Sequence, residues 1–290
     1  VLEQATPVFG IRPGARHDAS AVPRADPRLV GVDQGVDRAR VDQALLAEHL
    51  LESLYPQLGV AQRTAVLVGV IVVVRVAVRV LDSTGAASST AQVMAGLDWV
   101  INSQPDVKVV NLSLVFTSSP GTCDNAAAYL MTFAQAIDTL KGRGTSVFAS
   151  SGNNGLTDQI GAPACISSAV AVGAVYDDNV GTVTFGCTDS TTARDQVACF
   201  SNSSSAVDIL APGAAITSAG LGGGGVTYMG TSQACPHAAA AAALLLEAKP
   251  GLTPDQIETA LKNTGVGLAD ARNGLSFPRI DVSAALDAAP

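Results

Sequence analysis

An uninterrupted Ala and Leu run from Ala238 to Leu246 constrains this chain most, because of how it is entered: Gly230-Thr231-Ser232-Gln233-Ala234-Cys235-Pro236-His237. Small apolar side chains and strong helix formers suit a helix buried on most sides. Gly230 allows a tight entry and Thr231-Ser232 starts the helix, so Ser232 is expected at the mouth of a buried helix. The free N–H groups there favour developing negative charge. Pro236, four residues beyond Ser232, is expected in the first turn, where its missing N–H leaves no carbonyl unpaired. Taken alone, a Thr-Ser pair is an ordinary helix cap. The full string is far more restrictive.

The chain before that helix alternates strand-like and helix-like segments. Leu29 to Val32 reads as a short strand ending at Asp33-Gln34-Gly35, and Arg40 to Leu54 has helical spacing. Val76 to Leu81 is expected as a strand, Thr90 to Ile101 as a helix and Val107 to Leu114 as a strand. Asn125 to Leu140 reads as a helix, and Thr145 to Ser150 as a strand running into Ser151-Gly152-Asn153. Strands return at Ala169 to Val175 and Val207 to Leu210, and Thr253-Pro254-Asp255 opens a further helix. Such alternation predicts an α/β fold with a mostly parallel central sheet and helices on both faces. Functional groups then gather past the carboxyl ends of strands, where Asp33, Ser113 and Asn153 fall. Residues 1–27 carry four prolines and read as an irregular N-terminal arm; 28–290 read as one domain.

Net charge of −8 argues against nucleic acid and anionic membrane surfaces as partners. Ala65 to Val74 is apolar throughout but too short to span a bilayer, so the chain reads as soluble. Five cysteines exceed what a cytosolic enzyme needs. Cys123 with Cys165, and Cys187 with Cys199, would each close a modest loop and leave Cys235 unpaired. Sequence alone does not decide the connectivity, and five reduced buried thiols are the alternative. No metal-type spacing occurs among Cys and His. Val1 begins no signal peptide, so the numbering reads as that of a mature or truncated chain.

The string around Ser232 resembles the nucleophile motif of subtilisin-like serine proteases, usually Gly-Thr-Ser-Met-Ala-x-Pro-His. Val30-Gly31-Val32-Asp33-Gln34-Gly35 is similar to the family's aspartate motif, and Ala149-Ser150-Ser151-Gly152-Asn153 to its oxyanion segment. Further similar segments are Ala77 to Asp82, Val110 to Leu114, Pro163 to Cys165, Phe200 to Ser203, Leu210 to Gly213 and Arg279 to Val282. The resemblance implies a secreted, monomeric, single-domain endopeptidase acting on peptide or protein. Ser232 would be its nucleophile, Asp33 the residue orienting a base, and Asn153 the oxyanion donor. Ser113, Leu114 and Val115 on one side and Ser150, Ser151 and Gly152 on the other would line the substrate cleft.

Two departures stand out. The family's His-Gly-Thr-His segment is replaced by Gln62-Arg63-Thr64-Ala65-Val66-Leu67, and no triad histidine is found. The chain has three histidines. His237 lies about 140° around the helix from Ser232. His49 falls on an amphipathic helix and His17 in the irregular arm. The resemblance therefore implies impaired activity, with a peptide-binding pseudoprotease as the alternative. Secondly, Ser113-Leu114-Val115-Phe116 replaces Ser-Leu-Gly-Gly, so Val115 and Phe116 are expected to crowd the cleft. Calcium accompanies this family, but the loop that often carries it is shortened here and no ligand is assigned. No other cofactor is implied.

Overall fold

The computed structural model of the chain describes residues 77–81, 89–220 and 223–290. Asp33, His17, His49, the 1–27 arm, the segments expected at 29–32 and 40–54, and the run 65–74 lie outside them. Helix α1 (Thr90–Ser103) buries Val93, Leu97 and Val100, one stripe at four- and three-residue spacing. Strand β1 (Val109–Leu112) and the two-residue β2 (Ser118–Ser119) follow, then α2 (Ala128–Gly142), β3 (Ser146–Ser150), β4 (Ile160–Gly161) and β5 (Val170–Val175). Two antiparallel hairpins are inserted: β6 (Val183–Phe185) with β7 (Cys187–Asp189), and β9 (Ile216–Ala219) with β10 (Gly225–Tyr228). Between them lies β8 (Ile209–Pro212). The chain then forms α3 (Thr231–Ala248), α4 (Pro254–Thr264), β11 (Val266–Ala269), β12 (Ser276–Arg279) and α5 (Val282–Ala288).

The central sheet has the order β1-β3-β5-β8-β12-β11. All neighbouring pairs are parallel except β11 with β12. Strands β3 and β5 are buried along their whole length, as parallel strands covered on both faces must be. Their side chains alternate between two cores. Phe148, Val170, Val172 and Ala174 pack with the apolar side chains of α3, α4 and α5. Val147, Ala149 and Ala171 pack on the other face with Val93 and Leu97 of α1 and Phe133 and Ile137 of α2. Helices thus cover both faces, as the sequence pattern implied.

Two local expectations are corrected. Residues 77–81 form no strand; Val78 and Val80 instead reach the Cα of Gly96 on α1, so side-chain packing replaces a backbone ladder. The helix expected from Asn125 begins at Ala128, after a turn in which Ala126 N–H bonds Cys123 O at 3.0 Å. That turn is held by the disulfide Cys123–Cys165, and Cys187–Cys199 ties the β7 hairpin to the segment leading to Phe200. Cys235 is free and buried.

Candidate active site

Parallel pairing of β1 and β3, with Leu112 opposite Ala149, sends the loops that follow them out of the same sheet edge. The N-terminus of α3 arrives between those loops. From the β1 side, Ser113 Oγ donates to Ser232 O at 2.8 Å, and Ser232 Oγ donates to Ser113 O at 3.3 Å. From the β3 side, Gly152 N–H donates to Thr231 Oγ1 at 3.1 Å. Asn153 Oδ1 accepts from both Thr231 N–H (2.8 Å) and Thr231 Oγ1 (2.9 Å). Ser232, half-buried, is therefore flanked by Ser113 and Asn153, which the sequence separates widely.

The helix begins one residue before Ser232, and Pro236 lies inside it rather than in its first turn. The placement expected for this proline is thus wrong by a turn, with a chemical consequence. In an α-helix the N–H of residue 236 would bond the carbonyl of residue 232. Proline has no N–H and leaves that carbonyl open. Ser113 Oγ fills the vacancy, and Asn111 Nδ2 donates to the same hydroxyl at 3.0 Å. The proline and the serine at the end of β1 are two halves of one device that anchors the backbone of Ser232.

Asn153 caps the first N–H of α3 from a different element, since Gly230 offers no side chain to do so. With Oδ1 committed twice, Nδ2 makes no hydrogen bond among the described residues and remains a free donor beside the helix mouth. Gly230 has a φ of +150°, and a Cβ there would lie 3.2 Å from Asn153 Nδ2. A side chain at 230 would thus be strained and would press on the amide.

Asn202 holds the Asn153 loop and escaped the sequence reading. Fully buried, its Oδ1 accepts from the N–H groups of Asn154 (2.9 Å) and Leu156 (3.1 Å). Its backbone N–H donates to Gly152 O, and its carbonyl accepts from Ser151 Oγ at 2.9 Å. A buried amide in Phe200-Ser201-Asn202-Ser203 was the one available signal; its partners lie too far away in sequence to be foreseen. Ser150 is fully buried at the end of β3.

The structure separates Val115 from Phe116. Phe116 turns away to pack on Phe133 of α2, with ring centroids 5.1 Å apart, so it does not crowd the cleft. Val115 is half-buried, with its methyl groups against Gly161.

His237 bonds back onto its own helix, Nδ1 to Gln233 O at 2.8 Å, as its angular position implied. It is the only histidine among the described residues, and the described partner of Ser232 Oγ is a carbonyl rather than a base. Cys235 is sealed between α3 and β1, where burial pushes its thiol pKa up despite hydrogen bonds to Leu112 and Ser113. A neutral, inaccessible thiol is a poor nucleophile. Cys235 is accordingly expected to react with an aromatic disulfide reagent only after denaturation; prompt reaction in the folded protein would contradict this placement. Among the described residues no cluster of three His, Cys, Asp or Glu side chains could hold a metal ion, so no calcium ligand is assigned.

A mostly parallel sheet with a serine at a helix mouth, flanked by a capping asparagine and a strand end, is the architecture of a subtilisin-like serine protease. The profile of the Subtilase family matches residues 58–279, and the chain belongs to that family. It is 34% identical over 198 residues to subtilisin E of Bacillus subtilis, covering 67% of this chain and 44% of that protein. To subtilisin BL of Lederbergia lenta it is 37% identical over 194 residues, covering 66% of this chain and 60% of that one. The chain thus spans roughly half the length of these relatives. Its fold is similar to the crystal structure of a cold-adapted subtilisin-like serine proteinase, with a TM-score of 0.51 and 31% identity over 69% of this chain and 64% of that one.

Proposed function

We propose that this chain presents Ser232 to a peptide carbonyl as a subtilisin-type acyl-transfer site, with Asn153 Nδ2 stabilising the oxyanion. The observation that supports this is the double commitment of Asn153 Oδ1 to Thr231, beside Ser232, which leaves the Nδ2 amide without a hydrogen bond among the described residues. In such chemistry Ser232 Oγ attacks the carbonyl carbon, its proton passes to a base, and negative charge grows on the carbonyl oxygen. The N-terminus of α3 adds its own favourable field. Asp33 would orient the base, by the resemblance alone. The segment that would supply that base by the resemblance, Gln62 to Leu67, carries no histidine, so low turnover is expected. Losing the histidine costs about a million-fold in turnover, a figure measured within the subtilisin family itself.

The shortage of a histidine also favours a second reading: the same cleft holds a peptide or protein partner without cutting it. Under either reading the chain works outside the cytoplasm as a monomer. Its two disulfides favour an oxidising compartment. No described helix is long and apolar enough to cross a membrane.

A fluorophosphonate probe tests the first reading. Labelling that disappears in Ser232→Ala is the expected result, and its rate against pH would report the base. Folded protein that stays unlabelled would leave the binding reading in its place.

A further inference from the structure

We propose that the Cys187–Cys199 disulfide is a positioning element for Asn153, a brace whose opening by a thiol reductant lowers the reactivity of Ser232. This deepens the reading of Asn153 as the oxyanion donor and rests on it.

The loop that carries Asn153 is held from two directions, and both lead to this disulfide. From one, Gly155 N–H donates to Phe200 O at 2.8 Å, and Asn202 Oδ1 accepts from the amides of Asn154 and Leu156. A Cβ built on Gly155 would lie 3.0 Å from Cys199 O, so these two backbones pack with no room for a side chain. From the other, the turn between β6 and β7 lies over Asn153 itself. A Cβ built on Gly186 would lie 3.7 Å from Asn153 O, at ordinary van der Waals distance. Cys187 directly follows Gly186, and Cys199 directly precedes Phe200. One covalent bond therefore joins the two clamps, a single residue away from each.

The hairpin is weakly held without that bond. Strands β6 and β7 have three residues each, and of their side chains only Val183 is buried. A two-stranded ribbon of this kind is marginal by itself. Its noncovalent ties include Phe185 packed edge-on against Phe200, with ring centroids 5.2 Å apart. Asp189 Oδ2 also accepts from Tyr176 OH and from Cys199 N–H, each at 2.9 Å. These ties survive opening of the disulfide, so the hairpin loosens without leaving its place.

Access separates this bridge from the other one. Cys123 and Cys165 are each 1% exposed, whereas Cys187 and Cys199 are half-buried. The more accessible disulfide is the one a thiolate attacks first. With dithiothreitol the S–S bond breaks, each sulfur ends as a thiol, and the reagent is oxidised to its cyclic disulfide.

The test compares the oxidised chain, the chain reduced with dithiothreitol, and Cys187→Ser/Cys199→Ser, which opens this bridge alone if reduction is unselective. Hydrogen exchange at the amides of Asn154, Gly155 and Leu156 is expected to speed up at least about tenfold on opening, while amides of β3 and β5 keep their rates. Fluorophosphonate labelling of Ser232 is expected to slow about tenfold or more, part of what losing one oxyanion donor costs. In Asn153→Asp, opening the bridge is expected to change labelling by less than about twofold, because no amide is left to misplace. Unchanged exchange in the loop overturns the proposal. So does equal acceleration in β3 and β5, which marks a general loss of stability, and so does equal slowing of labelling with and without the Asn153 amide. A chain that is never labelled but whose loop amides respond loses the nucleophile and keeps the brace. Labelling indifferent to the bridge loses the brace and keeps the nucleophile.

Discussion

Asn153→Asp is expected to slow fluorophosphonate labelling of Ser232 by about 100- to 1,000-fold while leaving the fold intact. The magnitude is that of removing one oxyanion donor, a figure measured within the subtilisin family itself. The aspartate variant separates the two jobs of this side chain. Its carboxylate still accepts from Thr231 N–H and Oγ1, as Asn153 Oδ1 does at 2.8 and 2.9 Å. A negative charge at the N-terminus of α3 also contributes about 0.3–1 kcal/mol of stability. What disappears is Nδ2, replaced by an oxygen that repels the developing oxyanion. A melting temperature equal to or above that of the unaltered chain, together with the loss of labelling, is the expected pair. Labelling within a factor of ten would show that Nδ2 does not face the reacting oxygen.

Arg272→Ala is expected to cost about 3–5 kcal/mol of stability, the usual effect of removing one partner from a buried ion pair. Asp270 is 1% exposed and bound two-pronged by Arg272, with Nη2 to Oδ2 at 2.6 Å and Nε to Oδ1 at 2.9 Å. Removing the arginine strands a carboxylate out of water. The same guanidinium donates to Cys199 O at 2.6 Å, and neighbouring Asn273 Nδ2 donates to Ser203 Oγ and to Thr157 O, each at 2.9 Å. The turn at 270–274 therefore braces the 199–203 segment, and through Asn202 the loop that carries Asn153. The loss should reach the site as slower labelling as well as lower melting temperature, read by denaturant unfolding of both proteins. The double variant Asp270→Asn/Arg272→Ala should recover part of the loss, because no charge is then stranded.

The pair also sets an acid limit. Burial alone would raise the Asp270 pKa, but hydrogen bonds and charge from Arg272 outweigh it and hold the carboxyl below its ordinary range. The folded-state pKa is thus lower than the unfolded one. The resulting stabilisation is complete above the unfolded carboxylate range and is lost as pH falls through the folded value. Acid unfolding of Arg272→Ala should accordingly lack this component, and an identical acid profile for both proteins would contradict the assignment.

Much of this architecture could be read in one dimension. Uninterrupted apolar runs marked β3, β5 and α3, because an element covered on most sides needs no polar face. Thr253-Pro254-Asp255 announced α4, and the structure adds a reciprocal cap in which Thr253 Oγ1 accepts from Gln256 N–H and the Gln256 side chain accepts from Thr253 N–H. Residues 77–81 misled because an apolar run reads alike whether it enters a ladder or leans on a helix, as Val78 and Val80 do on Gly96. Pro236 misled because counting from Ser232 placed it too early in a helix that starts at Thr231.

Ser232, Asn153 and Ser113 were nameable from sequence because the strings around them resemble the family's motifs, and each falls at or just past the end of an element. Their coupling was not. That Ser113 takes the carbonyl freed by Pro236, that Asn153 caps Thr231, and that Asn202 clamps the loop between them all depend on loops brought together by sheet order. Likewise, the sequence showed Val115-Phe116 where the family has two glycines, but only the tertiary structure decided that Val115 lies against Gly161 while Phe116 packs on Phe133. Local sequence determines which groups a segment offers, through backbone propensity and apolar period. Which groups meet is decided by packing between segments distant in the chain, and no local pattern encodes that distance.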